Sequence, residues 1–422
     1  MNKHPPTKAI QTCSYNNAGL HLEGKVLEQI RREKAAGKKF INHLMLRNNT
    51  YAEDWLKFNL LLEGIPLFLY NLYSMHKAGF REAVTVGNDD TGRIHQLFCN
   101  HFSIEGFVFV HEGSPDEWSV GNTIKKARGA LGKVKDENIL FCPGDAPFVD
   151  IKGLVSNKCF ADYDLVVPFN TKQLCGPYFP RNYHIKVVDD EGKVYLSKES
   201  NAFLMNLDKI DHNRFGEGIY ELAFNARKSY AAGGHQKRFV LELAFKEDGK
   251  FSLHRSLNTL GMMGLEWYLT EVPIFIIKRK ILKQRESDNN LLKVKVEACS
   301  RLLEYALGIP DFHAKMYPTK DPAALLDVDS FEDVIFCQSM IQLAPKEVYP
   351  YYDELKGFAK AIKNWGCKFT DDWYGFANAQ FMKYDINARH HLDGMLEQKV
   401  FSEERIINEI ELIKEYRKNA TF

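Results

Sequence analysis

At 422 residues, with 45% hydrophobic and 26% charged residues, the chain has the make-up of an ordinary globular protein and room for one large α/β domain with an appendage. A formal net charge of +1 removes any whole-chain signature for nucleic acid or an acidic membrane. The eight cysteines show neither a C-x-x-C pair nor zinc-like spacing, the polar N-terminus lacks a signal-peptide core, and no apolar run approaches a membrane span. The expectation is a reduced, cytoplasmic protein that binds neither membrane nor nucleic acid.

In chain order, residues 1–19 read as a polar lead-in, and Leu22, Val26, Leu27 and Ile30 recur at helical spacing up to Gly37. Residues 40–46 (FINHLML) read as the first strand of the sheet. The loop after it carries Arg47, Asn48, Asn49 and Lys57 and no glycine before Gly64. Asparagine tolerates the left-handed backbone that a loop of inward-pointing amides requires. Lys57 reads either as a phosphate ligand or as a solvated surface lysine. A helix follows over 65–78, closed by Gly79, then strands over 83–87 and 107–111, with Asn88 to Thr91 capping the helix between them. Asn122 and Thr123 open the next helix, either as a plain cap or as substrate contacts at its N-terminus.

Ile139 to Cys142 is a short apolar run that breaks at Pro143-Gly144 and delivers one carboxylate, Asp145. Such a run reads as a strand buried in a parallel sheet, and α/β sheets bind ligands at the carboxyl ends of their strands. Asp145 is therefore either a metal ligand or a turn aspartate. A strand over 164–169 and a hairpin made by HIKVV and KVYLSK come next, with Arg181, Lys198 and Asn201 around them. Arg181 and Lys198 suit an acceptor phosphate, with ordinary surface cations as the alternative. Residues 214–308 read as largely helical, and 216–267 as an inserted lid. After a strand near 313–317, the apolar run 324–326 reads as a strand ending in Asp327 and Asp329, where Ser330 and Asp333 form a capping box. Magnesium takes one or two carboxylates and completes its shell with water and substrate phosphates. Asp145 with Asp327 or Asp329 is a sufficient protein share.

Three stretches carry a resemblance. Residues 63–80 (EGIPLFLYNLYSMHKAGF), PGDAPFV around Asp145, and LLDVDSFEDVIFC around Asp327 are similar, in order and spacing, to motifs of the NTP-transferase superfamily, close to its MobA-like branch. The resemblance implies a three-layer α/β/α, Rossmann-like fold of GT-A type with a mixed, mostly parallel sheet, a helical insertion and a C-terminal helical extension. Only residues 40–343 carry the resemblance, as a nucleotidyltransferase-like domain (insertion about 214–270); the composition sets apart a lead-in and helix (1–39) and a helical module (344–422) without a family motif, suited to covering a sheet edge, self-association or binding a partner. It implies transfer of a nucleotidyl group from an NTP, CTP preferred, to a phosphorylated sugar or alcohol with Mg2+ and release of pyrophosphate. In the family's pattern Arg47 and Lys57 act on the nucleotide phosphates, Asn48, Asn122 and Thr123 contact the nucleotide, and Arg181, Lys198 and Asn201 line the acceptor side. The chain departs from that pattern in its glycine-poor loop over 47–57. The alternatives are a GT-A glycosyltransferase using a nucleotide sugar and a nucleotide-binding homologue without catalysis.

Overall fold

The computed structural model describes residues 6–14, 28, 31–37, 50–51, 55–114, 117–132, 137–157, 160, 162–171, 185–188, 192–213, 219–220, 246–247, 250–263, 269, 293–328, 331–362, 378, 385–397 and 402–419. The chain forms two compact units. The larger comprises Pro6–Lys133, Leu140–Ser156 and Leu326–Phe422; the smaller comprises Met1–Pro5, Val134–Ile139 and Asn157–Leu325. Both are built of strands and helices, so the expected Rossmann-like α/β class holds. Among the described residues no helix is long and apolar enough to cross a membrane.

In the larger unit the first described strand of the sheet is β1, Lys8–Thr12. This corrects the expected lead-in, while the strand expected over 40–46 lies outside the described residues. The segment KAIQT looks unpromising because Lys8 and Gln11 interrupt it. Their partners come from far along the chain: Lys8 Nζ donates to Leu131 O at 3.2 Å, and Gln11 Nε2 to Phe68 O at 2.7 Å. A tight hairpin of Leu61–Leu62 and Ile65–Pro66 turns at Glu63 and Gly64, both left-handed, and feeds helix α1, Leu67–Lys77. Strand β2 is Glu82–Gly87, helix α2 Asp89–Phe102, strand β3 Phe107–His111 and helix α3 Val120–Ala130. Strand β1 pairs in parallel with β2, and β2 with β3. The next strand, β4, Asn138–Pro143, supplies Leu140 to Pro143 to this unit and neighbours β1 on its other side. Gly144 N donates to Thr12 O at 2.9 Å, so the carboxyl ends of β1 and β4 meet. The chain winds outward from β1 through β2 and β3, then returns past β1. That reversal is the switch point at which an α/β sheet opens a crevice.

The smaller unit is organised around β5, Leu165–Thr171. Strands β6 (Ile185–Val188) and β7 (Val194–Glu199) form the expected antiparallel hairpin, and β8 is Phe203–Asn206. Both β7 and β8 run antiparallel to β5, with the register shifted by two residues between them. Helix α4, Leu253–Met263, precedes β9, Lys293–Lys295, which pairs in parallel with β6. Helix α5, Val296–Leu307, ends at left-handed Gly308. The last strand, β10, Ala314–Thr319, pairs in parallel with β5. Most of the expected helical insertion lies outside the described residues. The strand expected to end at Asp327 is absent: a 3-10 turn, Pro322–Leu325, follows β10, started by Asp321, whose Oδ1 accepts from Ala323 N at 3.0 Å. An apolar run preceded by such a cap buries itself as a helical turn.

The chain then re-enters the larger unit with α6 (Phe331–Leu343), α7 (Pro345–Val348), α8 (Tyr352–Ile362), α9 (Ala388–Glu397) and α10 (Glu403–Asn419). Ser330, half of the expected capping box, lies outside the described residues. These helices are part of the unit's core. The Tyr349 hydroxyl donates to Tyr70 O at 2.7 Å with the two rings 4.8 Å apart, and Phe358 meets Phe98 edge-on at 5.7 Å. Glu63 is held from both α6 and α8: its N–H donates to Gln338 Oε1 at 3.0 Å, Gln342 donates to its carboxylate at 2.8 Å, and Lys356 reaches the same carboxylate at 3.3 Å.

Candidate active site

At the carboxyl end of β4 the chain turns through Gly144 to Asp145. A side chain at Gly144 would meet Cys13 Sγ at 2.4 Å and Phe58 Cδ1 at 3.0 Å, so only glycine lets the turn lie this close to the end of β1. Asp145 O accepts from Val328 N at 2.8 Å, which brings the segment carrying Asp327 alongside Asp145. Asp327 is buried, at 4% exposure. The segments that carry two of the expected metal ligands thus meet at one corner of the larger unit. Asp329 lies outside the described residues.

Lys57 completes this corner. Its Nζ lies 2.5 Å from Asp145 Oδ2, and its side chain is only 2% exposed against 14% for Asp145. The solvated-lysine reading is therefore wrong. Lys57 sits in a 3-10 turn, Lys57–Asn59, whose Asn59 is fully buried; Asn59 Oδ1 lies 3.0 Å from the Thr91 hydroxyl at the start of α2. Lys57 is thus fixed by a turn anchored to α2, and its position does not depend on a glycine loop. Cys13, beyond β1, is fully buried; burial foremost, then the negative charge of Asp145, pushes its thiol well above the ordinary range. It stays protonated and inert. Cys99, Cys142 and Cys337 are likewise buried thiols outside any disulfide.

Asn122 and Thr123 occupy the first turn of α3, which is capped by Ser119 instead; the Ser119 hydroxyl accepts from Asn122 N at 3.1 Å. The Asn122 amide donates to Glu117 O at 2.9 Å and the Thr123 hydroxyl to Ser119 O at 2.9 Å, so both side chains bond local backbone. The helix expected near Gly92 is capped by Asn88, whose Oδ1 accepts from Thr91 N at 2.9 Å. Asn201 is in the smaller unit, 1% exposed, and its N–H donates to Ala324 O at 3.5 Å. Lys198 is in β7 opposite Asn170. Arg47, Asn48 and Arg181, and the aromatic residues Tyr178, Phe179 and Tyr183, lie outside the described residues.

Among the described residues no three His, Cys, Asp or Glu side chains cluster as a complete metal set. Asp145 and Asp327 are oxygen donors of the hard kind that magnesium takes, one or two at a time, beside water and phosphate ligands. The reading from sequence missed two features of this corner. One is the end of β1. The other is Asn71 on α1, whose signal was visible: it is the one amide in a run, Leu67 to Met75, that is buried throughout.

No family model and no curated protein sequence matches the chain. Solved structures with a similar arrangement include a hypothetical transferase from Thermus thermophilus (15% identity, TM-score 0.40, covering 78% of this chain and 99% of that one). Others are a 4-diphosphocytidyl-2C-methyl-D-erythritol synthase from Anaerococcus prevotii (12% identity, TM-score 0.36, covering 79% and 97%) and an inositol-1-phosphate CTP transferase from T. maritima (14% identity, TM-score 0.32, covering 85% and 98%).

Proposed function

We propose that the chain is a nucleotidyltransferase of the NTP-transferase superfamily, moving a nucleotidyl group from an NTP, with CTP preferred, to a phosphorylated sugar or alcohol. The observation that carries this reading is the Lys57–Asp145 pair at the switch point of the parallel strands, with the Asp327 segment bonded to the same turn. Phosphoryl chemistry asks a protein mainly for positioning and for charge opposite the phosphates. A magnesium ion held by Asp145 and Asp327 would supply Lewis-acid stabilisation of phosphate charge.

In this reading Lys57 neutralises the phosphates of the donor. Its ammonium faces Asp145, and a triphosphate would offer it a more highly charged partner. A buried, turn-anchored lysine takes over a share of the work that a glycine-rich loop does elsewhere.

The test is pyrophosphate release with magnesium, each NTP in turn and a panel of phosphorylated sugars and alcohols, with Asp145→Ala alongside. Release that requires one NTP, one acceptor and Asp145 is the expected result. Nucleotide binding with no release from any combination would overturn catalysis and leave a binding protein in which Lys57 holds Asp145 permanently.

A further inference from the structure

The turn that carries Asp145 is gripped from one side by a single side chain. Asn71, fully buried at the middle of α1, donates from Nδ2 to Pro143 O at 2.9 Å and to Ala146 O at 2.7 Å. These carbonyls flank Gly144 and Asp145. Its own Oδ1 is buried with no hydrogen-bond partner. Turning the amide over would set that oxygen against two carbonyl oxygens, so the direction of the donor is fixed by chemistry. An unsatisfied buried acceptor costs stability, and leucine would suit this apolar helix position better. What the amide supplies is therefore the shape of the turn.

Helix α1 is itself registered on the sheet. Gln11 of β1 donates to Phe68 O at 2.7 Å, and the Thr85 hydroxyl of β2 donates to Gln11 Oε1 at 3.1 Å. A buried polar chain thus runs from the parallel strands to the first turn of α1, and Asn71, one turn later, carries the registration to the Asp145 loop. Other backbone restraints on that loop include Gly144 N to Thr12 O at 2.9 Å and Val328 N to Asp145 O at 2.8 Å. Neither spans the turn from end to end as Asn71 does.

We infer that Asn71 is a positioning residue: it clamps the turn of residues 143–146 so that the Asp145 carboxylate meets Lys57 while its main-chain carbonyl takes the Val328 N–H. Its effect on turnover rests on the nucleotidyltransferase reading, whereas the clamp itself does not.

The test is Asn71→Leu, read by amide hydrogen exchange and by steady-state kinetics. Loss of the two bonds is expected to speed exchange at Gly144 and Val328 by about tenfold or more while Val84 and Val86 in the sheet keep their protection. Pyrophosphate release is expected to lose about a hundredfold in kcat, with KM for the NTP within about twofold, because misplacement of the carboxylate affects the transition state more than binding. Unchanged exchange at both amides, or unchanged kcat beside faster exchange, would overturn the inference. So would faster exchange spread evenly over the sheet with a lower melting temperature, the mark of a merely structural residue. Should Asn71→Leu fail to fold, Asn71→Ser carries the same two readouts. If the wild-type protein releases no pyrophosphate, the exchange result still decides the clamp, and only the functional reading falls.

Discussion

Asp145 and Glu409 are both carboxyl groups of the larger unit held away from water, and their surroundings treat them in opposite ways. Asp145 meets an ammonium at 2.5 Å and keeps a small opening, with 14% of its side chain exposed. Glu409, on the inner face of α10 beside Ile406, Ile410 and Ile413, is fully buried, and neither of its oxygens has a hydrogen-bond partner among the described residues. Burial pushes its carboxyl up to about 8, against a smaller opposing pull from Arg405. A carboxylate with a cation beside it and an opening is placed for chemistry. One with neither is kept neutral and belongs to the packing.

The sharpest way to break the contrast is to remove Lys57. Lys57→Met takes away the ammonium that lies 2.5 Å from the Asp145 carboxylate, and Asp145→Leu takes away the carboxylate that faces an ammonium only 2% exposed. Each single change is expected to cost about 3–5 kcal/mol in chemical denaturation, while the double variant recovers most of that loss because both members of the ion pair are removed together. Equal costs for the double and the singles would mean that the pair is not coupled.

Asp327→Asn comes next, and it separates activity from stability. The amide keeps the side chain's shape, so the fold should hold. Turnover is expected to fall about a hundredfold or more, roughly 3 kcal/mol of transition-state stabilisation, as the magnesium concentration needed for half-maximal rate rises. Wild-type magnesium dependence in this variant would remove Asp327 from the site.

For Glu409 the effect lies in the pH profile. Its folded-state value is raised from 4.5 to about 8, so the native protein holds a proton that the unfolded chain has released between those values. Its contribution is fully present below about pH 4.5 and is lost as pH rises through about 8. Glu409→Gln is expected to flatten that part of the Tm-against-pH curve. An unchanged slope would show that other groups set it. The smallest effect is expected at a pair with neither burial nor opening to protect: Lys346 and Asp353 lie 2.6 Å apart but are 66% and 65% exposed. Lys346→Gln should leave the melting temperature where it is, since solvent and salt screen such pairs.

Much of the fold was legible because its pattern is local. The strands Glu82–Gly87, Phe107–His111 and Asn138–Pro143 are short apolar runs, α1 is an apolar helix closed at Gly79, and β6 and β7 alternate around a turn. Of the candidate site, Asp145 could be read from the Pro-Gly break that ends its strand. Strand β1 was hidden by Lys8 and Gln11, polar residues in a buried strand whose partners, Leu131 and Phe68, are remote in sequence. The C-terminal helices looked like an addition because nothing in their own sequence says that Tyr349 and Phe358 complete the core around α1 and α2.

By itself, then, the amino-acid sequence determined the α/β class, most of the parallel strands and the carboxylate that follows one of them, since each depends on periodicity and on turn residues within a few positions. The tertiary structure alone decided that β1 lies beside β4, that Lys57 is buried against Asp145, that Val328 ties Asp327 to the same turn and that Asn71 clamps it. The physical reason is that burial and pairing belong to residues brought together from distant parts of the chain. A lysine or an asparagine carries no local mark of whether it will meet water or a carboxylate.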